Sequence, residues 1–199
     1  KGCAELVTAA YRRSFFNAED SPRLASARAG NVIGGGDWAE DRLVPDIVRQ
    51  IQSGHAAIIR SPTAIRPWQH VLEPISAYLQ LAQRLFEPRG VRYSQGWNFG
   101  PGLLGEKNVA QIADAICRAW GDGAIWQEKT QAQVHEAQTL RLDVTKARTE
   151  LQWVSRLNFE QMIDMTVDWY KAIWKGGSAR DVTMAQVAQY YSLPLSPTV

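Results

Sequence analysis

Short apolar segments alternate with amphipathic helical patterns along this chain, and this alternation constrains the fold more than any other feature of the sequence. Strands are predicted at 24–30, 56–60 and 96–100, and an extended segment at 66–72. Between them, apolar residues recur at helical spacing. Strands that alternate with helices build parallel sheets, so we expect an α/β chain.

Capping residues and proline place most of the helices. Pro45 is predicted at the first position of one helix, which ends at Ser53–Gly54. Asn108 is a predicted N-cap, and Asn158 forms a predicted capping box with Gln161. A short helix is expected between Asp143 and Trp153, and the tail from 176 is too weakly patterned to predict an element.

Two further helices are predicted from their apolar faces. The first opens the chain, and the second starts at Pro74. The apolar residues of the first are Ala4, Val7, Tyr11 and Phe15, and those of the second are Ile75, Leu79, Ala82 and Phe86.

Composition excludes some functions. The net charge is only +2, from 22 basic and 20 acidic residues, which argues against a nucleic-acid surface built on bulk charge. No stretch of 18 uninterrupted apolar residues occurs, so no membrane span is expected. Cys3 and Cys117 are far apart in apolar helical patterns, which indicates buried thiols and a cytoplasmic protein.

Three consecutive glycines, Gly34–Gly36, follow Asn31 at the end of a predicted strand. Ligands bind beyond the carboxyl ends of parallel strands, and glycines let backbone amides approach a ligand, often a phosphate. The same glycines can equally form a tight loop that only turns the chain. From these residues alone, both interpretations stay open.

A second polar group lies in "IRPWQHVLE" (65–73), where Arg66 has the fork geometry for a diphosphate. Asn98 adds an amide at another strand end. Two asparagines and an arginine at separate strand ends can converge on an anionic, hydroxyl-rich ligand. They can also be turn-forming residues and a surface ion pair, and His70 and Trp68 can belong to the core.

Together, "SARAGNVIGGGDW", "DRLVPDIV", "IRPWQHVLEP" and "QGWNFGP" resemble the C-terminal part of the CDP-glucose 4,6-dehydratases. This family belongs to the extended short-chain dehydrogenases/reductases, which are NAD-dependent epimerases and dehydratases. The resemblance runs from Lys1 to about Trp174. "GNVIGGGDW" with "IRPWQHVLE" separates this type from dTDP-glucose dehydratases and UDP-sugar epimerases, whereas Ser61 and loop 101–107 depart from its pattern.

The resemblance implies that residues 1–199 are the end of a Rossmann-type domain interleaved with a substrate-binding domain. Lys1 resembles the lysine of the family's Tyr-x-x-x-Lys motif, which binds the nicotinamide ribose and lowers the pKa of the tyrosine. That tyrosine, the glycine-rich dinucleotide loop and the dehydration residues have no counterpart in this sequence. We therefore expect a fragment that is inactive and poorly folded by itself.

The resemblance also implies roles for substrate-binding residues. Asn31 and Arg66 are expected at the diphosphate of a nucleotide sugar, and Asn98 adds a polar contact. Arg42 and Leu43, within "RLVP", and Ile59 are expected to flank the nucleobase. The glycines after Asn31 would let the chain pass close to the nucleotide.

The implied activity converts CDP-glucose to a CDP-4-keto-6-deoxyglucose through NAD-assisted oxidation at C4, loss of water across C5 and C6, and return of the hydride to C6. The family further implies deoxysugar biosynthesis for lipopolysaccharide O-antigen, and a homodimer formed through the first helix. Neither nucleic acid nor membrane is an expected partner. Another nucleotide-sugar epimerase or dehydratase, or a non-catalytic nucleotide-sugar-binding module, remains an alternative.

Overall fold

The computed structural model describes residues 2–18, 20–101, 106–129 and 138–194. Helices and strands alternate through most of this part of the chain. The helices are α1 (Gly2–Phe15), α2 (Leu43–Gln52), α3 (Leu72–Phe86), α4 (Val109–Trp120), α5 (Thr145–Glu150), α6 (Phe159–Trp174) and α7 (Ala179–Ser192). The strands are β1 (Ser26–Ala29), β2 (Asn31–Ile33), β3 (Ala57–Ile59), β4 (Ile65–His70), β5 (Gly96–Phe99), β6 (Glu106–Asn108) and β7 (Trp126–Glu128).

The strands form three small sheets in which most neighbours are parallel. β1 pairs with β5, and β3 pairs with β7. The third sheet has the order β2–β4–β6, where β2 is parallel and β6 antiparallel to the central strand β4. The α/β class with parallel sheet, predicted from the alternation, is confirmed.

The largest core cluster lies between α2, α4 and α6 and the strands that they cover. Its centre is formed by Ile47, Ile112 and Ile116, all fully buried. A second cluster surrounds Trp97 and Phe99 of β5. Burial of large apolar side chains contributes about 1.5–3 kcal/mol each, so these clusters hold the sheets and helices together.

The predicted caps of α4 and α6 are confirmed. Asn108 and Asn158 each accept a hydrogen bond from the backbone N–H three residues later, at 2.8 Å in both cases. In each helix the side-chain oxygen of the glutamine at that later position accepts the N–H of the cap residue, which completes the capping box.

Several helical predictions are corrected. α2 begins at Leu43, so Pro45 is its third residue rather than its first. The predicted apolar stripe of α3 is exposed, because Ile75, Leu79, Ala82 and Phe86 face away from the sheet. Its buried residues are Leu72, Glu73, Pro74, Ala77 and Leu81.

The stripe predicted for α1 is also exposed: the helix has no buried residue, and Val7, Tyr11 and Phe15 are each more than half exposed. Cys3 is exposed as well, which contradicts its prediction as a buried thiol, whereas Cys117 is buried as predicted. Both cysteines are free. In the part of the chain that the structure describes, this apolar face of α1 is therefore exposed to solvent.

The weakly patterned tail forms α7, which packs Val182, Val187 and Tyr190 against the core clusters and also makes a polar contact with α3. Tyr190, its one buried residue, donates a hydrogen bond to Glu73 at 2.9 Å. The other carboxylate oxygen of Glu73 accepts the backbone N–H groups of Arg156 and Leu157 at 2.8 and 2.7 Å. Burial of the carboxyl raises the pKa of Glu73. The network therefore attaches α7 to α3 through a buried acid.

The glycine loop packs against a tryptophan. A Cβ at Gly35 would lie 2.0 Å from Cδ2 of Trp169 in α6, and Gly36 adopts a φ of 85° beside the same indole. Tyr170 donates a hydrogen bond to the Asp37 carbonyl at 2.6 Å, which fixes the end of the loop. The structure thus supplies a packing reason for Gly35 and Gly36.

A methyl group at Gly35 is therefore expected to destabilise the protein. Gly35→Ala must displace the Trp169 ring or the loop, and overpacking of this kind costs about 1–3 kcal/mol. Urea denaturation measures the change in the free energy of unfolding. Gly100→Ala is the matched control, because its new Cβ meets Leu142 and Val144 only at ordinary contact distances of 3.5 and 3.6 Å. Equal stability of the two variants would contradict the packing reason.

Candidate functional site

A cavity of about 910 Å³ lies where β2, the start of α2, the end of β3 and β4 meet. Residues from several separate stretches of the sequence, between Gly30 and Lys129, line it. Five of the seven residues predicted for the site are among them: Asn31, Arg42, Leu43, Ile59 and Arg66. The fold therefore brings together residues that the sequence separates.

The pairing of β2 with β4 places the two polar motifs side by side. Asn31 lies opposite Trp68, and Arg66 precedes that tryptophan by two residues on the same face of β4. Arg66 is only 8% exposed and donates hydrogen bonds to the carbonyls of Ile65 at 2.9 Å and Gln138 at 3.3 Å. A buried guanidinium and an amide thus border the same cavity.

The N-terminus of α2 opens on this cavity. Arg42 is the N-cap residue, and its side chain makes no capping hydrogen bond. Leu43 and Val44, the first residues of the ten-residue helix, also line the cavity. The partial positive charge at a helix N-terminus favours an anion.

Apolar and charged groups share the cavity wall. Ile59 is buried and Leu43 partly buried, and they contribute apolar surface. Two ion pairs lie at the cavity: Arg42 with Asp37 at 3.0 Å, and Arg60 with Asp41 at 2.6 Å. The wall can thus accommodate a ligand that has both an apolar ring and an anionic group.

Two predicted residues lie elsewhere. Asn98, in β5, is opposite Arg28 of β1 and donates to the Asp143 carbonyl at 3.0 Å. Its Oδ1 is buried and accepts no hydrogen bond from the described residues. Asn98 does not line the cavity. Lys1 lies outside the described residues.

Sequence reasoning missed several residues of the cavity wall. Asp41 belongs to the quoted stretch "DRLVPDIV" but was assigned no role, and Arg60 carried no motif, although it directly follows the predicted Ile59. Asp37 belongs to the quoted stretch "GGGDW", and Lys129 lies in a segment for which no element was predicted. The adjacency of Arg60 to a predicted strand end was the signal that could have found it.

His70 lies on the same face of β4 as Arg66 and Trp68 but is fully buried, so the alternative that it belongs to the core is correct. Its Nδ1 accepts the backbone N–H of Leu72 at 3.3 Å. Burial lowers the pKa of His70 to about 4, which keeps the imidazole neutral near pH 7. A Cβ added at Gly34 would lie 3.6 Å from Nε2 of His70, so the imidazole ring packs against the glycine loop.

Comparison with known proteins supports the predicted resemblance. The chain is 46% identical over 196 residues to CDP-glucose 4,6-dehydratase of Salmonella typhimurium, a match that covers 96% of this chain and 54% of that protein. The resemblance to CDP-glucose 4,6-dehydratases is confirmed. The chain spans about half the length of this relative. No protein-family model matches the sequence.

Solved structures confirm the fold. A dTDP-glucose 4,6-dehydratase from Streptomyces venezuelae, with NAD and TYD bound, has a TM-score of 0.71 at 20% identity, covering 89% of this chain and 51% of that one. A UDP-glucose-4-epimerase from Stenotrophomonas maltophila, with NAD bound, also has a TM-score of 0.71, at 17% identity over 88% and 56% of the two chains. The fold of this chain therefore matches about half of each of these dehydratase and epimerase structures.

None of the described helices is long and apolar enough to cross a membrane.

The neutral His70 predicts a loss of stability in mild acid. The unfolded state binds a proton near the ordinary pKa of 6.5, whereas the folded state binds it only near pH 4. Stability contributed by the neutral ring is therefore complete above pH 6.5 and falls as the pH drops from 6.5 to 4, by on the order of 3 kcal/mol. Urea denaturation at several pH values measures this slope.

His70→Asn provides the comparison, because the amide oxygen can accept the Leu72 N–H and does not titrate. Its stability should change less between pH 7 and pH 4.5 than that of the parent protein. An identical pH dependence in parent and variant would show that His70 titrates normally in the folded state.

Proposed function

We propose that this chain is the substrate-binding half of a CDP-glucose 4,6-dehydratase, in which the end of a Rossmann-type domain is interleaved with a substrate-binding domain. The observation that carries the proposal is the convergence of Asn31, Arg42, Leu43, Ile59 and Arg66 on one cavity. The identity to the Salmonella enzyme supports CDP-glucose as the substrate. A cytoplasmic homodimer that acts in deoxysugar biosynthesis is part of the proposal.

In this proposal the diphosphate binds between Asn31 and Arg66, near the N-terminus of α2. The amide of Asn31 and the guanidinium of Arg66 donate to phosphate oxygens, and the helix dipole adds favourable electrostatic potential. The nucleobase lies between Leu43 and Ile59, whose apolar surfaces supply contact area. Arg42 neutralises part of the negative charge.

NAD is the proposed cofactor, and it supplies hydride acceptance at C4 of the sugar and hydride return at C6. Gly35 and Gly36 pack against Trp169, so in this proposal the glycine loop is not the dinucleotide-binding loop. Lys1 is the cofactor-binding and catalytic residue proposed within this chain. The other residues of the cofactor site belong, in this proposal, to the N-terminal half of the enzyme.

Product analysis tests the proposed reaction. The full-length protein that carries this chain should convert CDP-glucose to a 4-keto-6-deoxy sugar nucleotide in the presence of NAD. The chain alone should form none. An epimerised sugar nucleotide would favour the alternative activity, which the equal TM-score of the epimerase keeps in consideration. Binding of CDP-glucose without turnover by the full-length protein would favour a non-catalytic module.

Arg66→Ala should weaken CDP-glucose binding while leaving NAD binding nearly unchanged. Loss of a buried, charge-assisted hydrogen bond costs about 1.5–3 kcal/mol, which corresponds to roughly tenfold to more than a hundredfold in affinity. Calorimetric titration of the full-length protein with CDP-glucose and with NAD measures both affinities.

Arg84→Ala is the matched control, since Arg84 pairs with Glu87 at 2.8 Å on α3 and does not line the cavity. Thermal melting of both variants checks that they fold. A folded Arg66→Ala protein that binds CDP-glucose with the parent's affinity would remove Arg66 from the diphosphate site.

A further inference from the structure

The ion pair between Asp41 and Arg60 lies beside the proposed nucleobase position. Arg60 directly follows Ile59 at the end of β3, and Asp41 precedes Leu43 by two residues. Both members of the pair line the cavity. Ile59 and Leu43, the two proposed apolar contacts to the base, thus each have a charged residue nearby in the sequence. The 2.6 Å bond between Arg60 and Asp41 joins the two segments at the cavity wall.

This ion pair adds little to the stability of the folded protein. The side chains of Arg60 and Asp41 are 46% and 81% exposed, and ion pairs this exposed contribute about 0–1 kcal/mol. Asp41 adopts a φ of 60°, a left-handed conformation that aspartate tolerates better than most residues other than glycine. An ion pair this weak gives little to the folded state, whereas its position gives it access to a ligand.

The pair offers a fixed order of hydrogen-bonding groups. A carboxylate only accepts hydrogen bonds, and a guanidinium only donates them. When one Asp41 oxygen accepts from Arg60 Nη2, the second oxygen and the other guanidinium N–H groups can still bond a ligand. The Asp41 carboxylate, a hydrogen-bond acceptor, therefore lies next to the N–H donors of Arg60 on the cavity wall.

Cytosine and uracil differ at the edge that meets such a pair. Cytosine carries an amino donor at C4 followed by acceptors at N3 and O2, whereas uracil carries an acceptor at C4 followed by an N–H donor. A carboxylate beside a guanidinium matches the cytosine order, and acidic side chains accept from the cytosine amino group in other recognition sites. Uracil would place its O4 against the Asp41 carboxylate.

We propose that Asp41 and Arg60 select cytosine over uracil, with Asp41 accepting from the C4 amino group and Arg60 donating to N3 and O2. This inference rests on the proposed function, because it takes the base to lie between Leu43 and Ile59. It identifies the residues that distinguish CDP-sugars from UDP-sugars and dTDP-sugars. The ion pair holds the two side chains in register before the base arrives.

Calorimetric titration with CDP and UDP tests the inference, because the two ligands share ribose and diphosphate and differ only in the base. The full-length protein should bind CDP about tenfold to a hundredfold more tightly than UDP, the range expected for one well-matched polar edge. Asp41→Asn should bring the ratio close to one, because the amide can donate to O4 of uracil. Arg60→Ala should weaken CDP binding more than UDP binding.

Glu87→Gln is the matched control: it weakens the partly buried pair with Arg84 outside the cavity and should leave the CDP-to-UDP ratio at the parent's value. Thermal melting of each variant checks its folding. If the parent binds neither ligand, the proposed function fails together with the inference. If it binds both equally, or if folded Asp41→Asn keeps the parent's preference for CDP, the inference alone is overturned.

Discussion

The pairing of β4 on both of its edges is the constraint on which the rest of the site depends. β2 pairs with its C-terminal half and β6 with its N-terminal half, and five of its six residues are buried. Because side chains alternate along a strand, Arg66, Trp68 and His70 lie on one face. The strand thus points a guanidinium and an indole at the cavity while its third side chain supports the glycine loop.

The glycine loop shows how far sequence reasoning reached and where it stopped. Three glycines after a strand correctly indicated that something approaches the backbone closely. The structure identifies Trp169, 134 residues after Gly35, as the group that does so at Gly35. Local sequence cannot show which distant side chain packs on a loop, so a ligand and an indole were indistinguishable until the fold was known.

Hydrophobic periodicity located most elements but missed the buried face of α3 and the whole of α7. In α3 it identified a genuine apolar stripe, yet the helix buries the opposite side, with Glu73 at its centre. In α7 it predicted no element, because Tyr190 is the one buried residue of this helix and Val182 and Val187 are only partly buried. Tyr190 also donates a hydrogen bond to that same acid. A buried carboxylate that accepts two backbone N–H groups and a phenol O–H is stable only when all of its partners are present. The hydrogen-bond network of Glu73 therefore includes residues of both α3 and α7, the two helices that periodicity misjudged. It joins segments more than 80 residues apart.

Most residues predicted for the site lie together, although they were chosen by chemistry and resemblance rather than by periodicity. Asn31, Arg42, Leu43, Ile59 and Arg66 converge, whereas Asn98 lies beside Arg28 in the sheet of β1 and β5. Acidic residues of the cavity wall reduce the electrostatic repulsion between its arginines. Asp37 and Asp41 each pair with an arginine, which limits repulsion before a ligand arrives. In the proposed complex, a diphosphate competes with Asp37 for Arg42, whereas the backbone N–H groups at the start of α2 need no ion pair to be exchanged. The helix N-terminus therefore favours the anion in this proposal, and the arginines of the wall adjust around it.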